Sequence, residues 1–507
     1  MDFQHYFGDA IPPRSDYVSI LEHWAEHRPE SIAYRFTDVE TVDDSLTYRE
    51  LLAEVRGLAG YLQGRCRIRP GDRVLLLYPP GLEFNIGFFA CHAVGAIAVP
   101  AFPPRSNRKS SRIRSIVVDA DAKYALTTVG IAERLTGATW HQDLAGVQVL
   151  GTDDPRCRDT ERYRPVELEG ETLGVLQYTS GSTGSPKGVM LTQRNLVANA
   201  ELIWHAFSPP AGGIGASWLP TYHDMGLVGG ILMPMFMGVT NVLMSPMTFL
   251  QRPVRWLRAI TKYGVAITGG PNFAYQLCVD KIREDELEGL DLSTLKIAFN
   301  GAEPIRAKTL DAFAEKFSAY GYDPSASLPC YGMAETTLIV TGGPTTPRPV
   351  MQDFDRSELD TKQVIPTEAG DESSRRLVGC GAVLPGETVL IVDPDTKSVL
   401  PPDEVGEIWV DSPSVGAGYY QRKEATERTF KAMTSDGQGP FLRTGDLGFL
   451  YDGQLYVTGR LKDMIIVRGV NRYPQDIEET VERASSIVQA GAVGAFAMDH
   501  DGREQLG

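Results

Sequence analysis

The run Tyr178-Thr-Ser-Gly-Ser-Thr-Gly-Ser-Pro-Lys-Gly188 holds three glycines, a series of serines and threonines, and one lysine. Small residues let backbone N–H groups converge, hydroxyls donate further hydrogen bonds, and Lys187 adds positive charge. Together these are the parts of a polyphosphate cradle. The common P-loop ends in Gly-Lys-Ser/Thr, whereas Pro186 precedes Lys187 here and Gly188 follows it. The hydroxyl that holds Mg²⁺ in a P-loop is therefore missing. A plain Gly/Ser linker would have the same composition. The flanks oppose it: residues 173–178 pattern as a short apolar strand. Thr192 suits the N-cap of a helix with apolar Leu196, Val197, Ala200, Ile203 and Trp204. The expectation is a strand–loop–helix phosphate site.

Other candidate groups follow along the chain. His223 sits in Leu219-Pro-Thr-Tyr-His-Asp-Met-Gly226. Residues 300–304 read Asn-Gly-Ala-Glu-Pro, and residues 331–335 read Tyr-Gly-Met-Ala-Glu. An aromatic ring can stack on a base, and a carboxylate can hold Mg²⁺ on phosphates. In Thr444-Gly-Asp446, the carboxylate of Asp446 could accept two hydrogen bonds from a vicinal diol. Arg460 and Lys462 lie in Gly459-Arg-Leu-Lys-Asp463. Each motif alone also fits an ordinary turn or surface group.

Their order resembles that of the adenylate-forming superfamily, which includes acyl-CoA synthetases, luciferases, nonribosomal adenylation domains and fatty acyl-AMP ligases. The resemblance covers about residues 15–480. It implies ATP and Mg²⁺ as cofactors. It implies a nucleotide site of Thr179, Ser180, Gly181, Ser182, Thr183, Gly184, Gly301, Ala302, Glu303, Tyr331, Gly332, Met333, Ala334, Asp446 and Arg460. Lys187, His223 and Glu335 become the catalytic candidates, with Glu335 also the metal ligand. By that match Asp446 holds the ribose, Lys462 occupies the hinge position, and His223 orients the acyl carboxylate. The carboxylate attacks the α-phosphorus of ATP and expels pyrophosphate, a step governed by positioning and charge stabilisation.

Within the superfamily, Trp218 to Leu227 and a polar insertion before Arg375 resemble fatty acyl-AMP ligases. That branch implies a medium- or long-chain fatty acid as substrate. The acceptor would be the phosphopantetheine of an acyl carrier protein, or a polyketide or nonribosomal peptide synthase carrier domain, because the insertion disfavours coenzyme A. Met233, Met235, Met237, Met244 and Met247 suit a lipid tail, and core packing explains them equally well. Asp224 leaves an amino-acid-activating branch open. The motifs are also compatible with a long-chain acyl-CoA synthetase, or with a catalytically weak nucleotide-binding fragment.

The elements that must position these groups follow from pattern. A chain of 507 residues exceeds one core. The expected fold class is α/β. Two α/β subdomains occupy 1–345, and a small β-barrel-like, β-rich subdomain occupies 346–460, with the insertion at about 351–376. Part of a small α+β C-terminal domain fills 461–507. Thr47-Tyr-Arg-Glu50 forms a capping box for a helix through Leu62, Asp452-Gly453 marks a hairpin, and Pro474 opens a helix. The superfamily's C-terminal domain ends near a catalytic lysine, whereas Lys462 is the last lysine here. The expectation is a shortened C-terminal domain and weak adenylation.

The net charge of -16 opposes nucleic acid as a partner. The local exception, Arg105, Arg108, Lys109, Arg112 and Arg114, fits a solvated helix face, with docking of an acidic protein as a minority reading. Six scattered cysteines fit reduced thiols and a cytoplasmic protein, and no signal peptide is evident. Residues 225–250 carry no charge. Four glycines and two prolines there favour a buried helix and strand over a membrane span.

Overall fold

A computed structural model describes residues 3–8, 10–102, 111–135, 143–179, 186–343, 349–371, 373–467, 470–484, 488, 493–500 and 503–506. Ser180, Gly181, Ser182, Thr183 and Gly184 of the glycine-rich run lie outside these, as do Arg105, Arg108 and Lys109. The chain forms two compact units. The first is Met1–Thr268 with Met333–Leu338 and Pro413–Thr426; the second is Gly269–Gly332, Ile339–Ser412 and Glu427–Gly507.

In the first unit a six-stranded sheet runs in the order Gln148–Gly151, Tyr124–Thr127, Arg73–Leu76, Ile97–Pro100, Leu173–Thr179, Lys187–Thr192. All pairs are parallel except the last, which is antiparallel. Parallel strands buried on both faces need continuous apolar runs, and Val74, Leu75, Leu76, Val99 and Ala125 supply them at 0% exposure. Elsewhere in this unit Asn241–Leu243 pairs in parallel with Ile32–Thr37 and with Ile214–Ser217.

Both predicted capping positions are present. Thr47 accepts from Glu50 N and opens Tyr48–Tyr61; Thr192 accepts from Asn195 N and opens Gln193–Phe207. The apolar face of the second helix, Leu196 to Trp204, is buried. The expected strand–loop–helix needs correction. The glycine-rich run returns first into the strand Lys187–Thr192, whose alternate Val189 and Leu191 bury against the core. The helix begins only after that strand, so its N-terminus does not open directly from the run.

Residues 225–250 fold as expected of a buried segment: a π-helix Met225–Leu232, a helix Met233–Met237 and a strand Asn241–Leu243. Met233, Met235, Met237 and Met244 are buried at 1–5% exposure, which makes them core residues, while Met247 is 50% exposed. Among the described residues no helix is long and apolar enough to cross a membrane. Arg112 and Arg114 are exposed on Ser111–Ala120, as a solvated face requires. All six cysteines are free.

The second unit is built on Thr388–Val392, Gly406–Asp411, Leu442–Tyr451 and Gln454–Arg460, an antiparallel meander. Its last hairpin turns at Asp452 and Gly453, with φ of 47° and 73°. Two adjacent positive φ values mark the turn that right-handed strand twist favours, and glycine carries one without strain.

The polar stretch at 351–376 is not an unpatterned loop. Met351–Asp355 and Ser374–Val378 pair as a hairpin around a helix Arg356–Asp360. Phe354, Leu359 and Val364 are buried with Leu447, Phe449, Tyr456 and Tyr473. The stretch is rich in acids, but three apolar side chains are enough to anchor it.

Candidate active site

In the first unit the register places Thr179 opposite Lys187 and Tyr178 opposite Gly188. Those residues form the mouth of the glycine-rich run. Lys187 Nζ stands 4.9 Å over the ring of Tyr419. The Tyr419 hydroxyl donates to Glu335 Oε1 at 2.7 Å. Glu335 lies on the 3₁₀ turn Ala334–Thr336 and is 7% exposed. Lys187 and Glu335, two residues the sequence marks as catalytic, therefore meet the same tyrosine.

Behind this strand, Tyr178 donates to Asp119 at 2.8 Å, and Arg422 donates to the other oxygen at 2.5 Å. Burial, then the neighbouring Asp119 carboxylate, pushes the Tyr178 phenol well up, so it stays a proton donor. Sequence pattern does not mark Asp119, Tyr419 or Arg422. No motif surrounds Asp119, and only pairing across the fold shows its role.

His223 is exposed. Its Nδ1 lies 3.1 Å from Asp224 Oδ1, and this hydrogen bond raises its pKa. The same Asp224 oxygen accepts from Met225 N at 2.7 Å, capping the π-helix. Asp224 is thus occupied locally, which weakens its reading as an ammonium ligand. Gln177 donates to Tyr222 O at 2.9 Å, tying the His223 motif to the strand that carries Thr179. A Cβ on Gly226 would sit 2.0 Å from Pro220 O, a backbone atom that cannot step aside. Gly226→Ala is expected to cost about 1–3 kcal/mol of stability, read by denaturant unfolding, because the turn carrying His223 must open.

In the second unit, Asp446 and Arg460 are direct partners across paired strands. Asp446 Oδ2 accepts from the Tyr331 hydroxyl at 2.8 Å, and Oδ1 lies 3.3 Å from Arg460 Nε. Burial raises the Asp446 pKa, and Arg460 and Tyr331 partly offset that rise. Glu407, 2% exposed, accepts from Gly445 N, Arg443 Nε and Trp409 Nε1 at 2.9–3.1 Å. It fixes the turn that presents Asp446. The available signal for Glu407 was a carboxylate inside an apolar strand, with no motif around it.

Gly301 lies against the residue that precedes Tyr331, since a Cβ there would be 3.0 Å from Cys330 O. Ala302 takes a φ of 68°. The Glu303 carboxylate accepts from Phe273 N at 2.5 Å, so the loop offers its backbone more than this side chain. Gly332 is half-buried on Tyr331–Gly332. Met333 N donates to Thr336 Oγ1 at 3.3 Å, and Ala334 is buried. Among the described residues no group of three or more His, Cys, Asp or Glu side chains gathers.

The motif order on an α/β fold is that of the adenylate-forming class. The family model described as AMP-binding enzyme matches residues 21–420, and the chain belongs to that family. It is 38% identical over 98% of its length to the medium-chain-fatty-acid–[acyl-carrier-protein] ligase JamA of Moorena producens, covering 85% of that protein. It is 34% identical to the long-chain-fatty-acid–AMP ligase FadD32 of Mycolicibacterium smegmatis, covering 96% of this chain and 80% of the relative. Among solved structures, the fatty acyl-adenylate ligase of L. pneumophila in complex with acyl adenylate and pyrophosphate is similar. Its TM-score is 0.85 at 37% identity, over 98% of this chain and 86% of that one.

Proposed function

We propose that this enzyme activates a medium- or long-chain fatty acid with ATP to the acyl-adenylate, releasing pyrophosphate, and passes the acyl group to the phosphopantetheine of an acyl carrier protein. The half-buried Asp446 carboxylate carries the nucleotide reading. Its two oxygens are oriented by Tyr331 and Arg460, and a carboxylate keeps acceptor sites beyond two such bonds for a ribose diol. The acyl-carrier relative and the adenylate-bound structure support the rest.

In this reading Thr179, residues 180–184 and Lys187 hold the phosphates. Tyr331 and the 301–303 backbone flank the base, and His223 meets the acid. An imidazolium is favoured there by Asp224, and it suits a carboxylate nucleophile that must be aimed at the α-phosphorus. Glu335 fits Mg²⁺, which needs one or two protein carboxylates alongside phosphate oxygens and water. When bound, Mg²⁺ would neutralise charge on the leaving pyrophosphate. The division at residues 345 and 460 and a cytoplasmic setting belong to the same proposal.

The acceptor reading draws on the hairpin at 351–376. Arg375 stacks on Tyr473 with Cζ 4.7 Å from the ring centroid, and donates to Thr458 O at 3.2 Å. The insertion thereby holds a residue just ahead of the helix Pro474–Ala484, as an element restraining the C-terminal region would. Fatty-acid-dependent ATP–pyrophosphate exchange tests the reading. His223→Ala is expected to raise the KM for the acid about tenfold, the worth of one hydrogen bond to a charged group, with the KM for ATP unchanged. An equal loss for both substrates would contradict the role of His223.

A further inference from the structure

Tyr419 belongs to none of the sequence motifs, yet it meets both Lys187, assigned to the phosphates, and Glu335, assigned to Mg²⁺. Its segment runs alongside the strand that begins at Lys187. Ala417 N donates to Met190 O at 2.8 Å, Met190 N to Gly418 O at 2.9 Å, and Tyr420 N to Gly188 O at 2.8 Å. Gly416 N donates to Glu335 O at 2.9 Å. Main-chain pairing on both sides therefore fixes where the Tyr419 side chain starts. Arg422 on Asp119 secures the far end of the segment.

The side chain itself is 6% exposed. Its hydroxyl reaches Glu335 Oε1 at 2.7 Å, and its face lies under Lys187 Nζ at 4.9 Å. A hydroxyl donating to a buried carboxylate sets the plane of the carboxyl group. A ring face under an ammonium attracts it through the quadrupole. One rigid side chain thus orients a carboxylate for a cation and an ammonium for a phosphate.

We infer that Tyr419 is a positioning residue for metal–nucleotide binding, acting through Glu335 with its hydroxyl and through Lys187 with its ring. The inference rests on the phosphate and Mg²⁺ roles given to those two residues. The two functions of the side chain separate by substitution. Phenylalanine keeps the ring and removes the hydroxyl; leucine removes both.

The test is ATP–pyrophosphate exchange with lauric acid, measured across Mg²⁺ and ATP concentrations for the full chain, Tyr419→Phe, Tyr419→Leu, Glu335→Gln and the double variant Y419F/E335Q. Tyr419→Phe is expected to raise the Mg²⁺ concentration for half-maximal rate about tenfold, with the KM for lauric acid unchanged. Tyr419→Leu should add about a threefold rise in the KM for ATP. In the double variant the hydroxyl deletion should add little to E335Q, since the carboxylate it orients for the cation is already gone. If E335Q shifts the Mg²⁺ requirement but Y419F does not, or if the two effects simply add, the inference is overturned while the role of Glu335 stands. If E335Q leaves the Mg²⁺ requirement unchanged, both fall. A uniform loss of rate in Y419F with a lowered unfolding midpoint would mark Tyr419 as structural only and would also overturn it.

Discussion

Asp446→Ala is expected to raise the KM for ATP about a hundredfold, with little change in the KM for the fatty acid. The replaced group is an oriented carboxylate, and each hydrogen bond to a charged acceptor is worth about 1.5–3 kcal/mol. Two bonds to a ribose diol, partly compensated by water, leave about 3 kcal/mol, which is the hundredfold. The isosteric Asp446→Asn separates function from stability. Burial lifts the folded-state pKa of Asp446 above its ordinary 3.8. A raised carboxylate pKa means that the folded chain binds this proton more readily than the unfolded one. The ionised group therefore opposes folding at pH values above the raised pKa, and this cost fades as pH falls through it towards 3.8. Asp446→Asn is expected to raise the unfolding midpoint at neutral pH while weakening ATP binding, and the gain should shrink on acidification. A midpoint that falls at neutral pH would contradict this account of the site.

Phe354→Ala is the second large effect. Phe354 has no exposed surface and stacks edge-on against Phe449, Tyr451 and Tyr456 at 5.0–5.4 Å. Truncating a buried phenylalanine costs about 3–5 kcal/mol, and denaturant unfolding of the full chain would read it. The contrast is Arg375→Ala, where a partly exposed cation–π contact contributes about 1 kcal/mol. Arg375→Ala should leave the fold intact and loosen the hold on Tyr473. Its readout is acyl-CoA formed in the presence of coenzyme A, expected to rise. Removing 351–376 whole would strip Phe354, Leu359 and Val364 from the core, so the single substitution tests the acceptor reading more cleanly than the deletion.

Local signals were legible. Thr47 with Glu50 and Thr192 with Asn195 begin helices where the side chains can reach back to free N–H groups. Asp452-Gly453 turns a hairpin because its φ values suit those residues. The motif residues Tyr331, Asp446 and Arg460 converge although the first is 115 residues from the second. What sequence pattern missed depends on partners distant along the chain. Lys187–Thr192 reads as an approach to a helix, since six residues beside a capping box give no sign of the antiparallel partner. Tyr419 and Glu335 are 84 residues apart, and a tyrosine in a polar stretch has no pattern that names its acceptor. Phe354, Leu359 and Val364 are spaced for neither strand nor helix alone, so their burial follows only from the hairpin that gathers them.

The central claim is adenylation of a fatty acid by this chain. Mass spectrometry of the protein with ATP, Mg²⁺ and lauric acid, without and then with coenzyme A, tests it most directly. The account predicts lauroyl-AMP in both mixtures, dependent on Asp446 and Lys187, with no lauroyl-CoA. Lauroyl-CoA as the main product would contradict the acceptor assignment, and absence of any acyl-adenylate across medium- and long-chain acids would contradict the claim itself.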